Sequence, residues 1–257
     1  MNRPRNHHNS PKVNSLAAGL RILQAMADSP RTLGVTEVAA RLEMPKSSAY
    51  RLLQTLIEAG FVNQSPASKR YALSADIFRF INSLSSRFGP SPRAYEVIKR
   101  ESAHRGHSIF LSVLGTDRAI TVFAVGPDAD TGVLGANLPV YISSPAKALI
   151  AQYPPDEWKR FAPTGSEPKM TPFTNTDPAK FLKEIAQVRR EKVAWNLRGS
   201  ELGVYSVAAV VPMGRGISQL AVTFVFNPAR WQEWDRADLA AGVQKVAKLI
   251  AKAIKSG

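Results

Sequence analysis

Apolar residues recur at helical spacing in three consecutive short segments near the start of the chain. Leu16, Leu20, Leu23 and Ala27 predict a helix over residues 16–28, with Ser15 placed as its N-cap and Ser29-Pro30 ending it. Thr36 is placed to cap a second helix over residues 37–42, with Val38, Ala39 and Leu42 inward and Glu43-Met44-Pro45 as the turn that follows. Over residues 46–59, Ala49, Leu52, Leu53, Leu56 and Ile57 form one continuous apolar stripe, and Gly60 ends the helix. The opposite edge carries Ser47, Arg51, Gln54 and Glu58, flanked by Ser48 and Tyr50. Residues 61–64 and 70–73 read as two strands joined by a loop, with Lys69 and Arg70 beside it. Three helices followed by a hairpin describe a winged helix-turn-helix.

Residues 76–88 repeat Ile77, Phe80, Ile81, Leu84 and Phe88 as another amphipathic helix. Its apolar face needs a cover, either the same helix of a second subunit or the rest of this chain. Gly89-Pro90-Ser91-Pro92 marks a boundary. Beyond it, helices are expected over 93–105, 145–152, 155–161, 177–190 and 235–255, and strands over 107–114, 118–125, 193–197, 205–212 and 219–226. That order fits an antiparallel sheet with helices on its faces, an α+β domain. The expected organisation is a basic arm (1–14), a winged helix-turn-helix domain (15–75), a linking or dimerising helix (76–92) and a second domain (93–257).

Charge adds a partner class. The 257 residues hold 34 Lys and Arg against 20 Asp and Glu, a net charge of +14, with a normal apolar content of 44%. Residues 1–80 account for +6 and residues 81–257 for +8, so charge alone does not single out one domain. Pattern does. Arg51 and Gln54 have the donor geometry to read base edges in a major groove. Lys46, Ser47 and the N-terminus of the third helix suit phosphate, as do Lys69 and Arg70 on the wing. Ser48 and Tyr50 complete the expected DNA-binding set.

Enzyme readings fare worse. The chain has no cysteine, which removes thiolate metal sites and cysteine nucleophiles. Its histidines are His7, His8, His104 and His107, and no carboxylate cluster in the sequence completes a metal site around them. There is no G-x-S-x-G elbow and no P-loop, and Gly214-Arg215-Gly216 reads as a hairpin turn. No apolar run is long enough to span a membrane, and the N-terminus lacks the apolar core of a secretory signal, so a cytoplasmic location is expected.

The run LGVTEVAARLEMPKSSAYRLLQTLIEAGFV, followed by RYALSADIF, resembles the DNA-binding domain of the IclR family of bacterial transcription regulators. LPVYISSPAKALIA and ELGVYSVAAVVPM resemble two stretches of that family's effector-binding domain, so the likeness extends over residues 16–254. The resemblance implies a homodimeric or tetrameric regulator, a GAF-like C-terminal domain holding a small organic acid or related metabolite, operator DNA as partner, and no cofactor. It places the effector near the start of the helix after a PLHxTxxGKA stretch, here Pro139 to Ala148, with Tyr141 at the usual His and Ala146 at a usual Gly. Ser144 and Pro145 fall in the turn facing the effector, where Pro145 has no N–H to offer. Glu43 stands where Gly is typical. Ser206 and Thr223 fall on polar pocket positions, Val225 replaces a hydroxyl, and Asn196-Leu197-Arg198 replaces an acidic stretch.

A carboxylate ligand needs hydroxyl, N–H or guanidinium donors. The expected effector set is Ser143, Ser144, Asn196, Arg198, Ser206 and Thr223, with Arg198 as the cation. The leading expectation is a ligand-responsive repressor or activator. The alternatives are a sequence-tolerant DNA-binding protein with a degenerate sensor domain and a small-molecule hydrolase, which lacks a nucleophile constellation.

Overall fold

Asn14–Ala27 forms the first helix (α1), followed by α2 (Val35–Arg41) and α3 (Lys46–Glu58), then a hairpin of β1 (Val62–Gln64) and β2 (Tyr71–Leu73). The computed structural model describes residues 14–80, 83, 89–127, 129, 134–214, 219–227 and 235–255. Contacts divide the chain into two units, residues 1–83 and 84–257.

The first unit packs around Ile22, Val38, Ala49, Leu53 and Val62. α1 turns a different stripe inward from the one expected: Gly19, Ile22 and Met26 are buried, whereas Leu16 and Leu20 are more than half exposed and Ala27 lies outside. The two stripes adjoin at half-buried Leu23, so helical periodicity alone cannot choose between them. α2 begins earlier than expected, with Gly34 as N-cap and Thr36 inside the first turn, because the Glu37 carboxylate accepts the Gly34 N–H at 2.7 Å.

α2 and α3 end in the same way. The Met44 N–H reaches the Ala39 carbonyl and the Glu43 N–H that of Ala40, and Phe61 and Gly60 repeat the pattern on Leu56 and Ile57. Both ends are Schellman motifs, which need a left-handed residue just past the helix. Gly60 supplies it without cost at φ 78°, whereas Glu43 is held at φ 51° with a side chain. Residues 77–80 and 83 are helical. Ile81, Leu84 and Phe88 of the expected linking helix lie outside the described residues, as do the arm at 1–13 and Arg215-Gly216 of the expected turn.

The second unit is α+β. Its elements are α4 (Pro92–Arg105), β3 (Ser108–Leu114), β4 (Arg118–Val125), β5 (Asn137–Pro139), α5 (Ser144–Ile150), a 3-10 helix (Pro155–Phe161), α6 (Pro178–Glu191), β6 (Ala194–Leu197), β7 (Tyr205–Val210), β8 (Leu220–Phe226) and α7 (Arg236–Lys255). One antiparallel sheet runs in the order β5-β4-β3-β8-β7-β6. β5 was not expected, because three residues ending in Pro carry no alternation; it forms by pairing with Arg118–Ile120 at the sheet edge.

Strand alternation divides the two faces. Ile109, Leu111, Val207, Val222 and Phe224 face α4 and α7, while Ala119, Ala194 and Ala208 face α5, the 3-10 helix and α6. All seven residues of α5 are buried, Lys147 among them, and the Lys147 Nζ meets Glu184 Oε1 of α6 at 2.7 Å. Among the described residues no helix is long and apolar enough to cross a membrane.

Two outcomes follow for stability. Glu43→Gly relieves the left-handed strain and raises the unfolding free energy by up to about 1 kcal/mol in urea titration; no gain would show that the turn stores no strain. Glu184→Ala strands a buried ammonium and costs on the order of 3 kcal/mol, whereas Lys147→Met with Glu184→Leu recovers most of the loss in the same measurement.

Candidate functional site

On the first unit, the side of α3 away from the core presents Lys46, Ser47, Ser48, Tyr50 and Arg51, all exposed. Lys69 is also exposed, at φ 56° in the hairpin turn, where the Gln64 side chain donates to its carbonyl at 3.1 Å. These groups are free to meet a partner, and their frame is held by others.

Two of the expected DNA-binding residues belong to that frame. Gln54 is half-buried beside Tyr71, whose phenol is pushed up by its burial and by the nearby Tyr50. Arg70 points back across the unit: Nη2 donates to the Thr32 carbonyl at 2.5 Å and to Glu37 Oε2 at 2.6 Å, and Nε to Thr32 Oγ1 at 3.1 Å. Arg31 adds a contact to Glu37 Oε1 at 3.2 Å. Leu33 and Tyr71 exchange backbone hydrogen bonds of 2.9 and 2.8 Å. Arg70 therefore fastens the wing to the start of α2, which nothing in a one-dimensional reading distinguishes from a free wing cation.

On the second unit, a cavity of about 350 Å³ opens between the N-terminal end of α5 and the face of the sheet that α5 covers. Five of the six expected effector residues line it together: Ser143, Ser144, Asn196, Ser206 and Thr223. Their polar groups are largely pre-arranged. Ser143 Oγ accepts the Ala146 N–H at 3.3 Å and caps α5, and Ser144 Oγ and Ser206 Oγ share a hydrogen bond of 2.7 Å. Asn196 accepts the Gly199 N–H through Oδ1 at 2.9 Å and donates through Nδ2 to Ser200 Oγ at 2.7 Å. Thr223 Oγ1 is buried without a hydrogen-bond partner, an uncommon state that leaves it available to a ligand.

Arg198 does not line this cavity. The chain leaves β6 there through a left-handed residue, φ 66°, and the guanidinium stacks 4.2 Å from the centre of the Phe173 ring and 5.7 Å from that of Tyr205. Thr171 Oγ1 holds its carbonyl at 2.7 Å. Among the described lining residues the only ionisable side chain is Glu201, so the cation expected from Arg198 is missing from the wall. Phe110, Ser112, Thr121 and Leu138 line it as well and were not anticipated. The signal for the first two was present, since both share the period-two face that contains Thr223 once β3 is paired with β8.

A winged helix-turn-helix accompanied by an α+β unit with an internal cavity is the build of a ligand-responsive DNA-binding regulator. Residues 15–66 match the model of the IclR helix-turn-helix domain, and residues 93–252 match that of the bacterial transcriptional regulator IclR C-terminal domain. The chain is 30% identical over 228 residues to the HTH-type transcriptional regulator Rv1719 of Mycobacterium tuberculosis, covering 87% of this chain and 85% of that protein. In fold it is similar to the IclR transcriptional regulator of Alicyclobacillus acidocaldarius, with TM-score 0.75, 22% identity and coverage of 94% and 99%. It is also similar to an IclR homologue of Microbacterium hydrocarbonoxydans complexed with 4-hydroxybenzoate, with TM-score 0.73, 16% identity and coverage of 95% and 100%. The chain belongs to the IclR family: it is a transcription regulator with an N-terminal DNA-binding helix-turn-helix and a C-terminal ligand-binding domain.

The wing clamp carries its own pH signature. The Gly34 N–H, then the charges of Arg70 and Arg31, hold the Glu37 carboxyl below its ordinary range. A carboxylate lowered in the folded state stabilises at neutral pH, and that contribution disappears as the pH falls through its folded pKa. Glu37→Gln therefore lowers the stability of the winged unit at neutral pH and flattens its acid-side decline, as read by urea unfolding followed through pH 3 to 7. An unchanged acid limb would separate Glu37 from the clamp.

Proposed function

We propose that a small organic acid occupies the Ser144–Ser206–Thr223 cavity and thereby changes the affinity of the winged unit for operator DNA. The observation that carries this reading is the buried, unpartnered Thr223 Oγ1 in a cavity of about 350 Å³ where the Ser144 and Ser206 hydroxyls already hold one another in place. A carboxylate lacking a guanidinium partner is held here by hydroxyl donors, aided by the enclosed surroundings. The 4-hydroxybenzoate found with the Microbacterium homologue supports a ligand of this class and size.

On the DNA side, Arg51 and Tyr50 of α3 face the bases, while Lys46, Ser47, Ser48 and Lys69 meet phosphate. Gln54 reads bases only if it leaves Tyr71, and Arg70 serves by fixing the wing. Residues 76–92 pair two copies of the chain, so the operator is a two-fold site; residues 15–75 and 93–257 are the domains on either side. The effector acts by linkage: it shifts operator affinity by the ratio of its affinities for the DNA-competent and DNA-incompetent states.

The test uses DNA selected from a random pool by the wild-type chain. Arg51→Ala weakens binding to the selected site by about tenfold or more, with a much smaller effect on unrelated DNA of equal length. Equal losses on both would make Arg51 a phosphate contact and favour sequence-tolerant binding. Thr223→Val removes a stranded hydroxyl, so it raises the stability of the unliganded protein by about 1 kcal/mol. It also weakens 4-hydroxybenzoate or a related acid about tenfold in calorimetric titration. Undiminished affinity with the valine removes Thr223 from the effector site.

A further inference from the structure

A second concavity lies at the other end of α5. The effector cavity takes Ser143, Ser144 and Pro145 from the start of that helix and Ser206 from the start of β7. The second takes Ala148, Ala151 and Gln152 from the end of the helix and its following turn, and Ala209 and Val210 from the end of β7. At about 540 Å³ it is the larger of the two. Its room comes from short side chains, Ala148 and Ala151 on one side of the sheet and Ala247 of α7 on the other. It also comes from a sheet edge: β6 pairs with β7 only as far as Ala208, so Ala209 and Val210 have no strand neighbour on that side.

The wall has one sign of charge. Its ionisable side chains are Arg189, Lys192 and Lys248, and no acidic side chain lines it among the described residues. Arg189 is fixed in place, donating to the carbonyls of Ala151 at 3.0 Å and Tyr153 at 2.8 Å, with its guanidinium 5.9 Å from the Trp158 ring centre. Lys192 is the left-handed residue that ends α6, and Lys248 stands on the exposed side of α7. Neither lysine is paired with a carboxylate among the described residues. The C-terminal ends of α5 and α6 offset part of this charge, at about half a unit each. Three cations exceed that, and the surplus surrounds an apolar floor.

From this combination we infer a second ligand site, separate from the effector cavity, that takes a small amphipathic organic anion. Lys192 and Lys248 meet the anionic group and the alanine floor takes the apolar body, the mixture of enclosure and a few placed polar groups on which small-molecule sites depend. Because α5 forms a wall of both cavities and is buried along its whole length, an occupant of either touches the same rigid element.

Calorimetric titration of the full chain at low salt tests the site, with decanoate as probe and decanol as its uncharged counterpart. Saturable decanoate binding is expected, at least tenfold tighter than decanol. It falls at least tenfold in the K192E/K248E double variant, is retained in K192R/K248R, and is unaffected by Thr223→Val. Circular dichroism and thermal unfolding of the charge-reversed variant should match the wild type, since both lysines are on the surface. The inference is overturned if decanoate fails to bind saturably or binds no better than decanol. It is equally overturned if charge reversal leaves binding intact while Thr223→Val abolishes it, which would place the probe in the effector cavity.

Discussion

Complete burial of a seven-residue helix organises the ligand-binding unit. A helix sealed between a sheet and its neighbours cannot satisfy its ends or its charged side chains from water, so each group must be answered internally. Ser143 caps the start of α5, Glu184 meets Lys147 in the middle, and Arg189 closes on the Ala151 carbonyl at the far end. These contacts leave α5 little freedom to shift relative to the sheet and α6. A wall that does not give is what allows small differences in ligand shape to matter, since closely packed interiors deform in discrete steps rather than continuously.

The cavity at the start of α5 then follows from what the sheet presents to that wall. The face toward α4 and α7 is filled by branched and aromatic side chains and closes tightly. The opposite face carries Ala194 and Ala208 where α5 and α6 pack closely, but Ser112, Ser206 and Thr223 near the start of α5. Hydroxyls in place of larger apolar groups leave volume unfilled and polar groups to satisfy. Ser144 and Ser206 answer each other, and Thr223 remains unanswered. A core that is apolar on one face of a sheet and partly polar on the other has given up packing on the second face for an unfilled volume lined by polar groups.

The winged unit separates structural from available groups in a similar way. Tyr71, Arg70 and Glu37 are spent on holding the hairpin against the rest of the unit. Lys46, Ser47, Ser48, Tyr50, Arg51 and Lys69 are left exposed. Composition cannot make that division, because Arg51 and Arg70 are the same residue type and each sits beside other polar residues. Contacts between residues far apart in sequence make it, such as the reach from Arg70 to Thr32 and Glu37.

The sequence by itself determined the elements and their order. Helical periodicity, Gly60 at a helix end and strand alternation are local properties, and they carried the winged helix-turn-helix and the α+β class, while the family resemblance together with donor chemistry pointed to the five expected residues that line the cavity. Tertiary structure decided the rest. Which of two adjoining stripes α1 buries, whether Arg70 faces out or back, and where Arg198 points all depend on partners distant in the chain. β5 exists only because an edge of β4 was open to it. Each of these was hidden for one physical reason: a side chain's surroundings are set by the free energy of long-range contacts, and local spacing records only which contacts are geometrically allowed.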